Sequence, residues 1–233
     1  MKIMVYNIWH GAIYPSREID LERLAGVIAD EAPELIGLNE VRGRGVTPEY
    51  TEQTEILSRL TGMEHSYFAR AIYVNGTEPY GNALLSRSPI LSAQTIPVPD
   101  PQTRAVEGGY YESRCLLKAK LQNGLTVLVI HFGLNPDERE NAVNTVLEHL
   151  EDERCVLMGD FNTEPDDPIL APIRARMKDT AEVFAGERLS YPSHDPKIKI
   201  DYIFVSKDIE VRSADIPATV CSDHRPHMAE IEF

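Results

Sequence analysis

Polar residues able to bind a metal ion or a phosphate stand at the ends of several apolar stretches in this sequence. A rigid strand can hold such a terminal side chain in a cleft. Carboxylate and amide oxygens suit a hard cation, and imidazoles suit a phosphoester bound beside it. Zinc is disfavoured because no Cys/His cluster has its ligand spacing. The residues in question are Asn7, Asn39, Glu40, His131, Asp160, Asn162, Asp201, Asp223 and His224.

Each of these residues also has a structural alternative when it is considered alone. Asn7 or Asp201 could form a turn or cap a helix. His131 could be a structural hydrogen-bonding residue, and Glu40 could be a solvated loop acid. The segment Gly159-Asp160-Phe161-Asn162 is more specific, because its glycine permits an unusual backbone and two polar groups flank one aromatic side chain. The combination, in this order along the chain, favours one shared site.

The elements that must position these side chains follow from apolar periodicity and capping residues. We expect helices over residues 17–31 with Ser16 as N-cap, 48–60 with Thr47 as N-cap, and 136–151 with Asn135 as N-cap. Short apolar runs predict strands over residues 3–7, 35–38, 82–91, 114–121, 125–131, 154–158, 201–206 and 227–233. Helices and strands alternate early and strand pairs dominate later. This order favours two sheets packed face to face with helices outside.

The charge balance limits the partners that this chain can bind. Asp and Glu number 37 against 23 Lys and Arg, so the formal net charge is -14. Such a protein repels polyanions at long range, and extended nucleic-acid binding is therefore not expected. An enzyme that holds a phosphate through a metal ion is not excluded, because the ion is then the largest local charge.

Length and composition predict one globular domain over residues 1–233. Hydrophobic residues make up 42% of the chain, which excludes intrinsic disorder. The three cysteines have no C-x-x-C spacing, so neither a disulfide framework nor a zinc knuckle is expected. The longest apolar run, residues 125–130, is too short to cross a membrane, and the first residues lack a signal-peptide pattern. We therefore expect a cytoplasmic protein without a transmembrane segment, and no partner protein is evident.

Short motifs that join a strand-like run to one or two of these polar residues recur along the whole chain. They are Tyr6-Asn7-Ile8-Trp9, Leu38-Asn39-Glu40-Val41, Gly81-Asn82-Ala83-Leu84-Leu85-Ser86, Val129-Ile130-His131-Phe132, Met158-Gly159-Asp160-Phe161-Asn162, Ile200-Asp201-Tyr202-Ile203-Phe204 and Ser222-Asp223-His224-Arg225-Pro226. In this order they resemble the endonuclease/exonuclease/phosphatase superfamily. That family of metal-dependent phosphoesterases includes apurinic-site endonucleases, deoxyribonucleases, sphingomyelinases and inositol-polyphosphate phosphatases. The resemblance implies its α/β fold, a four-layered α/β sandwich with two packed mixed β-sheets flanked by helices. One departure is Asn39, where the family more often has Gln.

The resemblance implies a metal site with Mg²⁺ as the cofactor and Mn²⁺ as a possible substitute. It makes Glu40 the principal ligand, with Asn7 close by and Asp223 as a candidate further ligand. This sparse set is chemically adequate, because Mg²⁺ usually takes one or two protein carboxylates and keeps several waters. Whether one metal ion or two is bound stays open.

The resemblance also implies roles for five residues around the phosphate. Asp160 would orient or deprotonate the attacking water, and Asn162 would hold the phosphate or the nucleophile beside it. His224 would contact a phosphoryl oxygen as base or electrostatic stabiliser, with Asp201 holding its imidazole. His131 would be the second imidazole, which stabilises charge or assists the leaving group.

Further candidates for substrate binding are weaker. Arg42 and Arg44 follow Glu40 and could bind a second phosphate, or they could be solvated loop arginines. Trp9 could wall the pocket or pack beneath the first loop, and His194 could contact substrate or be a plain loop residue. Glu112-Ser113-Arg114 resembles the family's acidic and basic pair before the middle strand, with a solvated charge pair as the alternative.

The function predicted from these residues is a Mg²⁺-dependent phosphoesterase that acts on a small or lipid-derived phosphoester by in-line attack of water. The alternative is an endonuclease or exonuclease acting on DNA, against which the acidity argues. A binding protein that kept the fold and lost the chemistry is disfavoured, because the set of polar residues is intact.

Overall fold

Two six-stranded mixed β-sheets form the centre of the computed structural model, which describes residues 1–233. The first sheet contains, in spatial order, β11 (Glu210–Asp215), β12 (His227–Glu232), β1 (Lys2–Asn7), β2 (Leu35–Arg42), β4 (Glu78–Ser86) and β3 (His65–Val74). The second contains β5 (Ile90–Pro97), β6 (Cys115–Leu121), β7 (Thr126–His131), β8 (Cys155–Asp160), β10 (Asp201–Ser206) and β9 (Met177–Asp179). Strands β1 and β2 pair in parallel, as do β7 and β8, and the other pairs are antiparallel.

Four helices cover the outer faces of the two sheets. Helices α1 (Leu21–Glu31) and α2 (Gln53–Thr61) lie on the first sheet, and α3 (Pro136–His149) and α4 (Ala171–Arg176) lie on the second. Buried apolar side chains form one cluster between the sheets and one under each helix layer. The predicted four-layered sandwich is confirmed. No helix combines the length and the apolar character that a bilayer span requires.

Two of the three predicted helices begin later than expected. Helix α1 starts at Leu21, because the Asp20 carboxylate accepts a hydrogen bond from the Arg23 amide and caps it, whereas the Ser16 hydroxyl lies within a preceding turn. Helix α2 does not start at Thr47, whose amide donates to the buried Glu78 carboxylate. The third prediction is confirmed, since Asn135 forms a capping box at the start of α3.

The strand predictions failed where no apolar alternation marks an edge strand. The predicted strand over residues 82–91 is two strands, because β4 ends at Ser86 and a turn separates it from β5. Strands β3, β9 and β11 were not predicted. All three lie at the edges of their sheets, where one side of the strand faces solvent and burial imposes little pattern.

The two sheets are in close contact beside Gly37 in the middle of β2. A Cβ atom added there would lie 2.6 Å from the Met158 sulfur and 3.0 Å from a methyl group of Val129. Both of these side chains belong to the second sheet, so the glycine sets how closely β2 can pack on β7 and β8. The glycine therefore serves packing and not a special backbone conformation.

Substitution of this glycine should destabilise the fold. We expect Gly37→Ala to lower the free energy of unfolding by about 1–3 kcal/mol, because the added methyl overpacks the space between the sheets. The matched control is Gly26→Ala on the exposed side of α1, where an added Cβ meets no atom within 4 Å. That change should raise the free energy of unfolding by about 0.4–1 kcal/mol. Denaturant titration measures both, and equal effects would contradict the packing argument.

Candidate active site

The ends of five central strands meet at one edge of the sandwich and carry the polar residues found in the sequence. Asn7 ends β1, and Glu40 lies near the end of β2. His131 and Asp160 end the parallel strands β7 and β8 and are paired in register. Asp201 begins β10 and lies opposite Asp160. The two sheets thus each contribute part of one polar cluster.

Asn7 connects the two parts of the cluster. Its Nδ2 atom donates to Glu40 Oε1 at 3.0 Å and to Asp160 Oδ2 at 3.0 Å, and so links a carboxylate of each sheet. Its Oδ1 atom accepts from the Trp9 amide at 3.1 Å. Because both ends of the amide are engaged, Asn7 orients the carboxylates in this structure.

A second amide, Asn39, crosses the interface between the sheets. Its Oδ1 accepts from the Asp160 backbone amide at 2.8 Å, and its Nδ2 donates to Asn82 Oδ1 at 2.8 Å and to the Ile130 carbonyl at 3.0 Å. Asn82 in turn donates to the Cys115 carbonyl at 3.0 Å. Asn39 is fully buried, and its oxygen and both of its N–H groups are hydrogen-bonded. The residue that departs from the family pattern therefore fixes the Asp160 backbone.

A β-bulge directs Glu40 into the cluster. Asn39 and Glu40 lie opposite the single residue Asn82 of β4, so the register shifts between Leu38 and Val41. Glu40 has a φ of 58°, a left-handed conformation that costs energy for a residue with a side chain. The bulge turns its carboxylate towards Asn7, and β2 resumes its pairing with β4 at Val41.

Asp201 and His224 form a buried pair behind the cluster. Asp201 Oδ2 lies 2.8 Å from His224 Nδ1, and His224 Nε2 lies 3.6 Å from Asp160 Oδ2. Burial opposes protonation of His224, but the Asp201 and Asp160 carboxylates outweigh it and raise the pKa of His224 to about 10. The loop that carries His224 is fixed by Ser222, whose hydroxyl donates to the Asn7 carbonyl at 2.8 Å.

His131 and Asn162 lie on the other side of Asp160. His131 Nε2 is 3.1 Å from Asn162 Nδ2 and 3.5 Å from Asp160 Oδ2. Asn162 has a φ of 46°, and its backbone amide donates to Asp160 Oδ1 at 2.9 Å. Arg114 Nη1 lies 3.2 Å from His131 Nδ1 and 2.6 Å from Glu112 Oε1. The Arg114 and Glu112 side chains are only 9% and 12% exposed, so the alternative of a solvated charge pair is wrong.

These residues line a cleft of about 480 Å³, within the range usual for small-molecule sites. The predicted residues in its lining are Glu40, His131, Asp160, Asn162, Asp223 and His224, while Asn7 and Asp201 are buried behind them. Sequence reasoning missed the walls, which are Tyr80, Tyr110, Leu134, Tyr191, Ile198 and Ile200. Two of them had a signal, since Tyr80 directly precedes the Gly81-Asn82 motif and Ile200 is the first residue of the motif that contains Asp201. The others lie on or beside long loops without a pattern.

Four predicted substrate-binding residues do not line this cleft. The Arg42 guanidinium lies over the Tyr50 ring at 4.5 Å. Arg44 is exposed and lies 3.6 Å from a carboxylate oxygen of the α2 N-cap residue. Trp9 lies beside the cluster with a guanidinium over its ring, and His194 is exposed and stacked on a tyrosine ring. Their contacts with substrate are therefore not supported by the geometry of the cleft.

The carboxylates of the cleft fit a divalent cation. Burial and the negative charge of Glu40 raise the pKa of Asp223, and burial and the Asp201 charge raise the pKa of Asp160. Burial disfavours the Glu40 anion, but contacts with His10 and Asn7 and nearby imidazoles hold its pKa below the ordinary value. A cation would relieve this crowding of negative charge.

One oxygen or nitrogen atom each of Asp160, Asp201 and His224 also lies within 4.8 Å of the others. Asp201 Oδ2 and His224 Nδ1 are already bonded to each other, and Asp201 is fully buried. Apart from Glu112, which is paired with Arg114, the carboxylates that line the cleft belong to Glu40, Asp160 and Asp223. The chemistry of this oxygen set suits Mg²⁺ or Mn²⁺.

Comparison with known proteins identifies the class to which this fold and cleft belong. A sequence profile of the Endonuclease/Exonuclease/phosphatase family matches residues 4–224, and the chain belongs to that family. Members of the family are metal-dependent hydrolases of phosphoester bonds, and this chain is such an enzyme. No protein of curated function matches the chain significantly by sequence.

Several solved structures share the complete fold. An endonuclease/exonuclease/phosphatase from Beutenbergia cavernae has a TM-score of 0.79 at 23% identity, and the alignment covers 100% of this chain and 71% of that one. A mannosyl-6-phosphatase from Bacteroides thetaiotaomicron has a TM-score of 0.75 at 13% identity, with 100% of both chains covered. The human Nocturnin catalytic domain with bound sulfate has a TM-score of 0.69 at 16% identity, with 100% and 93% covered.

The buried Asn39 amide should be essential for stability. We expect Asn39→Ala to lower the free energy of unfolding by at least about 1–3 kcal/mol, because it leaves the Asp160 amide and two carbonyl oxygens buried without partners. The control is Asn144→Ala on the exposed face of α3, which should change the free energy of unfolding by less than about 0.5 kcal/mol. Denaturant titration measures both variants. A fully stable Asn39→Ala protein would show that the amide does not hold the sheets together.

Proposed function

We propose that this chain, acting as one domain over residues 1–233, hydrolyses small or lipid-derived phosphoesters with Mg²⁺, or with Mn²⁺ in its place. The observation that carries the proposal is the meeting of cleft-facing carboxylates with two imidazoles in one small cleft. Arg114 is the single Lys or Arg in the lining, which leaves the cleft with too few cationic side chains to hold a polyanion. A neighbour with the same fold is named a mannosyl-6-phosphatase, and that name supports a small substrate.

Glu40 and Asp223 are the proposed ligands of the cation. Asn7, which the sequence placed among the ligands, is proposed to orient Glu40 through its 3.0 Å hydrogen bond. When bound, the cation would polarise a phosphoryl oxygen and offset the negative charge that develops during hydrolysis. The strained bulge at Glu40 is consistent with a ligand that must be held in place before the ion binds.

Asp160 is proposed to orient the attacking water and accept its proton. Burial raises the pKa of this carboxyl, which makes it a better proton acceptor near neutral pH than an ordinary aspartate. His224 carries its Nδ1 proton towards Asp201, so its Nε2–H is available for a phosphoryl oxygen. Because the Asp201 pair keeps this imidazole protonated, we assign His224 as an electrostatic stabiliser and not as the base.

Loss of the Glu40 charge should remove metal binding and activity together. Phosphorylated metabolites, inositol phosphates, nucleotides and short oligonucleotides would be screened with Mg²⁺ or Mn²⁺. On the substrate found, we expect Glu40→Gln to lower kcat/KM by on the order of a hundredfold or more and to weaken Mg²⁺ binding measured by calorimetry. The control is Glu64→Gln, which removes an exposed charge outside the cleft. Activity that survives a chelator, or that survives Glu40→Gln, would refute the assignment of Glu40 as a metal ligand.

The charge of the protein predicts weak binding to DNA. We expect the inactive variant Asp160→Asn to bind duplex DNA weakly, with a shallow dependence of affinity on salt, because few basic residues can neutralise phosphates. Binding is measured by fluorescence anisotropy across a salt series. Tight binding with a steep slope, corresponding to about five or more neutralised phosphates, would favour the alternative of a nuclease.

A further inference from the structure

Both ring nitrogens of His131 face hydrogen-bond donors. Arg114 Nη1 lies 3.2 Å from Nδ1, and Asn162 Nδ2 lies 3.1 Å from Nε2. A guanidinium and an amide nitrogen can only donate, whereas a neutral imidazole can accept at one nitrogen only. One of the two contacts therefore cannot be a hydrogen bond to the ring.

The contact with Arg114 requires a neutral His131 imidazole, because a protonated ring has no nitrogen that could accept from the guanidinium. The imidazole is almost fully buried, and burial together with the adjacent Arg114 charge holds the pKa of His131 well below its ordinary value. A single proton therefore resides on the ring, and its position is set by the partners of the two nitrogens.

The surrounding contacts place this proton on Nε2. The charged Arg114 donor forms the stronger hydrogen bond, and it requires Nδ1 to be the acceptor. Asn162 Nδ2 is already satisfied in part, because it donates to the Phe132 carbonyl at 2.9 Å. An Nε2–H also has a carboxylate nearby, since Asp160 Oδ2 lies at 3.5 Å.

Arg114 is itself held in place by the loop before β6. Glu112 Oε1 lies 2.6 Å from Arg114 Nη1, and Glu112 Oε2 accepts from the Tyr110 hydroxyl at 2.8 Å. The Glu112 amide donates to Glu138 Oε1 at 3.1 Å. This chain of contacts leads from an exposed tyrosine at the rim of the cleft to the buried imidazole.

We propose that Arg114, held by Glu112, is a positioning residue that fixes His131 as the Nε2-protonated tautomer. The Nε2–H of His131 and the second Nδ2–H of Asn162 then point into the same space beside Asp160. Neither N–H group can accept a hydrogen bond from the other, so both can donate to an anionic phosphoryl oxygen. The role in catalysis rests on the proposed phosphoesterase function, whereas the tautomer itself does not.

A double-mutant cycle tests whether Arg114 acts through His131. We expect Arg114→Met to lower kcat by on the order of tenfold or more in the otherwise unchanged enzyme, with a smaller change in KM. In the His131→Ala background the same substitution should change kcat less than about twofold. An equal loss in both backgrounds would show that Arg114 acts directly on substrate, which would overturn the proposal.

Two further variants guard against a merely structural effect. Arg114→Lys retains a charged donor and should restore most of kcat relative to Arg114→Met. Arg104→Met removes a neighbouring guanidinium, which lies over the Tyr111 ring at 4.7 Å, and should leave kcat unchanged.

If Arg114→Met does not fold, Arg114→Lys and Glu112→Gln are compared with the unchanged enzyme. Failure of Arg114→Lys to exceed Glu112→Gln in kcat would then overturn the positioning role.

The tautomer can be observed without any substrate. In a two-bond proton–nitrogen correlation spectrum, His131 should show a protonated Nε2 and an unprotonated Nδ1, and Arg114→Met should shift the ring towards a mixture of tautomers. A protonated Nδ1 in the unchanged protein would overturn the inference, whatever the activity. Absence of phosphoesterase activity would instead refute the proposed function and leave the spectrum to decide the tautomer.

Discussion

The carboxamide of Asn39 is the interaction on which the rest of this site depends. It accepts from the Asp160 backbone amide and donates to both Asn82 and the Ile130 carbonyl, so it joins the two sheets where their strands end. The cleft draws one carboxylate from each sheet, and a small shift between the sheets would separate Glu40 from Asp160. A buried amide whose oxygen and both N–H groups are hydrogen-bonded resists such a shift, because movement leaves polar groups unpaired in an apolar interior.

The same geometry brings several carboxylates close together, and the protein's own cationic and N–H groups balance only part of their negative charge. Asp201 is compensated by His224, and the Glu40 anion is favoured by hydrogen bonding and nearby imidazoles. Asp223 and Asp160 remain carboxyl groups whose charged forms are disfavoured by burial and by neighbouring anions. A cation and a phosphoryl group together would complete this balance, since one supplies positive charge and the other uses the free N–H groups. Under the proposed function, the site is thus preorganised for a cation together with a phosphoryl group.

The walls of the cleft bear on the kind of substrate that it can accept. They are aromatic and aliphatic, and their single basic side chain, Arg114, is engaged by Glu112 and His131. A site with one basic side chain gives a long polyanion few contacts, which favours the small ester of the proposed function. Shape and charge therefore separate the proposed function from the DNA-cleaving alternative more clearly than the catalytic residues do, because those residues are shared by both.

The sequence by itself determined the family, the layered sandwich and the identity of the central polar residues, because these residues are tied to apolar strands buried on both faces. It also determined the start of α3, where Asn135 and the acids after it form a local cap. Tertiary structure decided what depends on contacts between distant segments. It set the inter-sheet role of Asn39, the turn of Asn7 towards two carboxylates, and the stacking of Arg42 on a loop tyrosine outside the cleft. It also placed Arg114 on His131, since a hydrogen bond between a loop side chain and the side chain of a separate strand leaves no periodic or local signal in the chain.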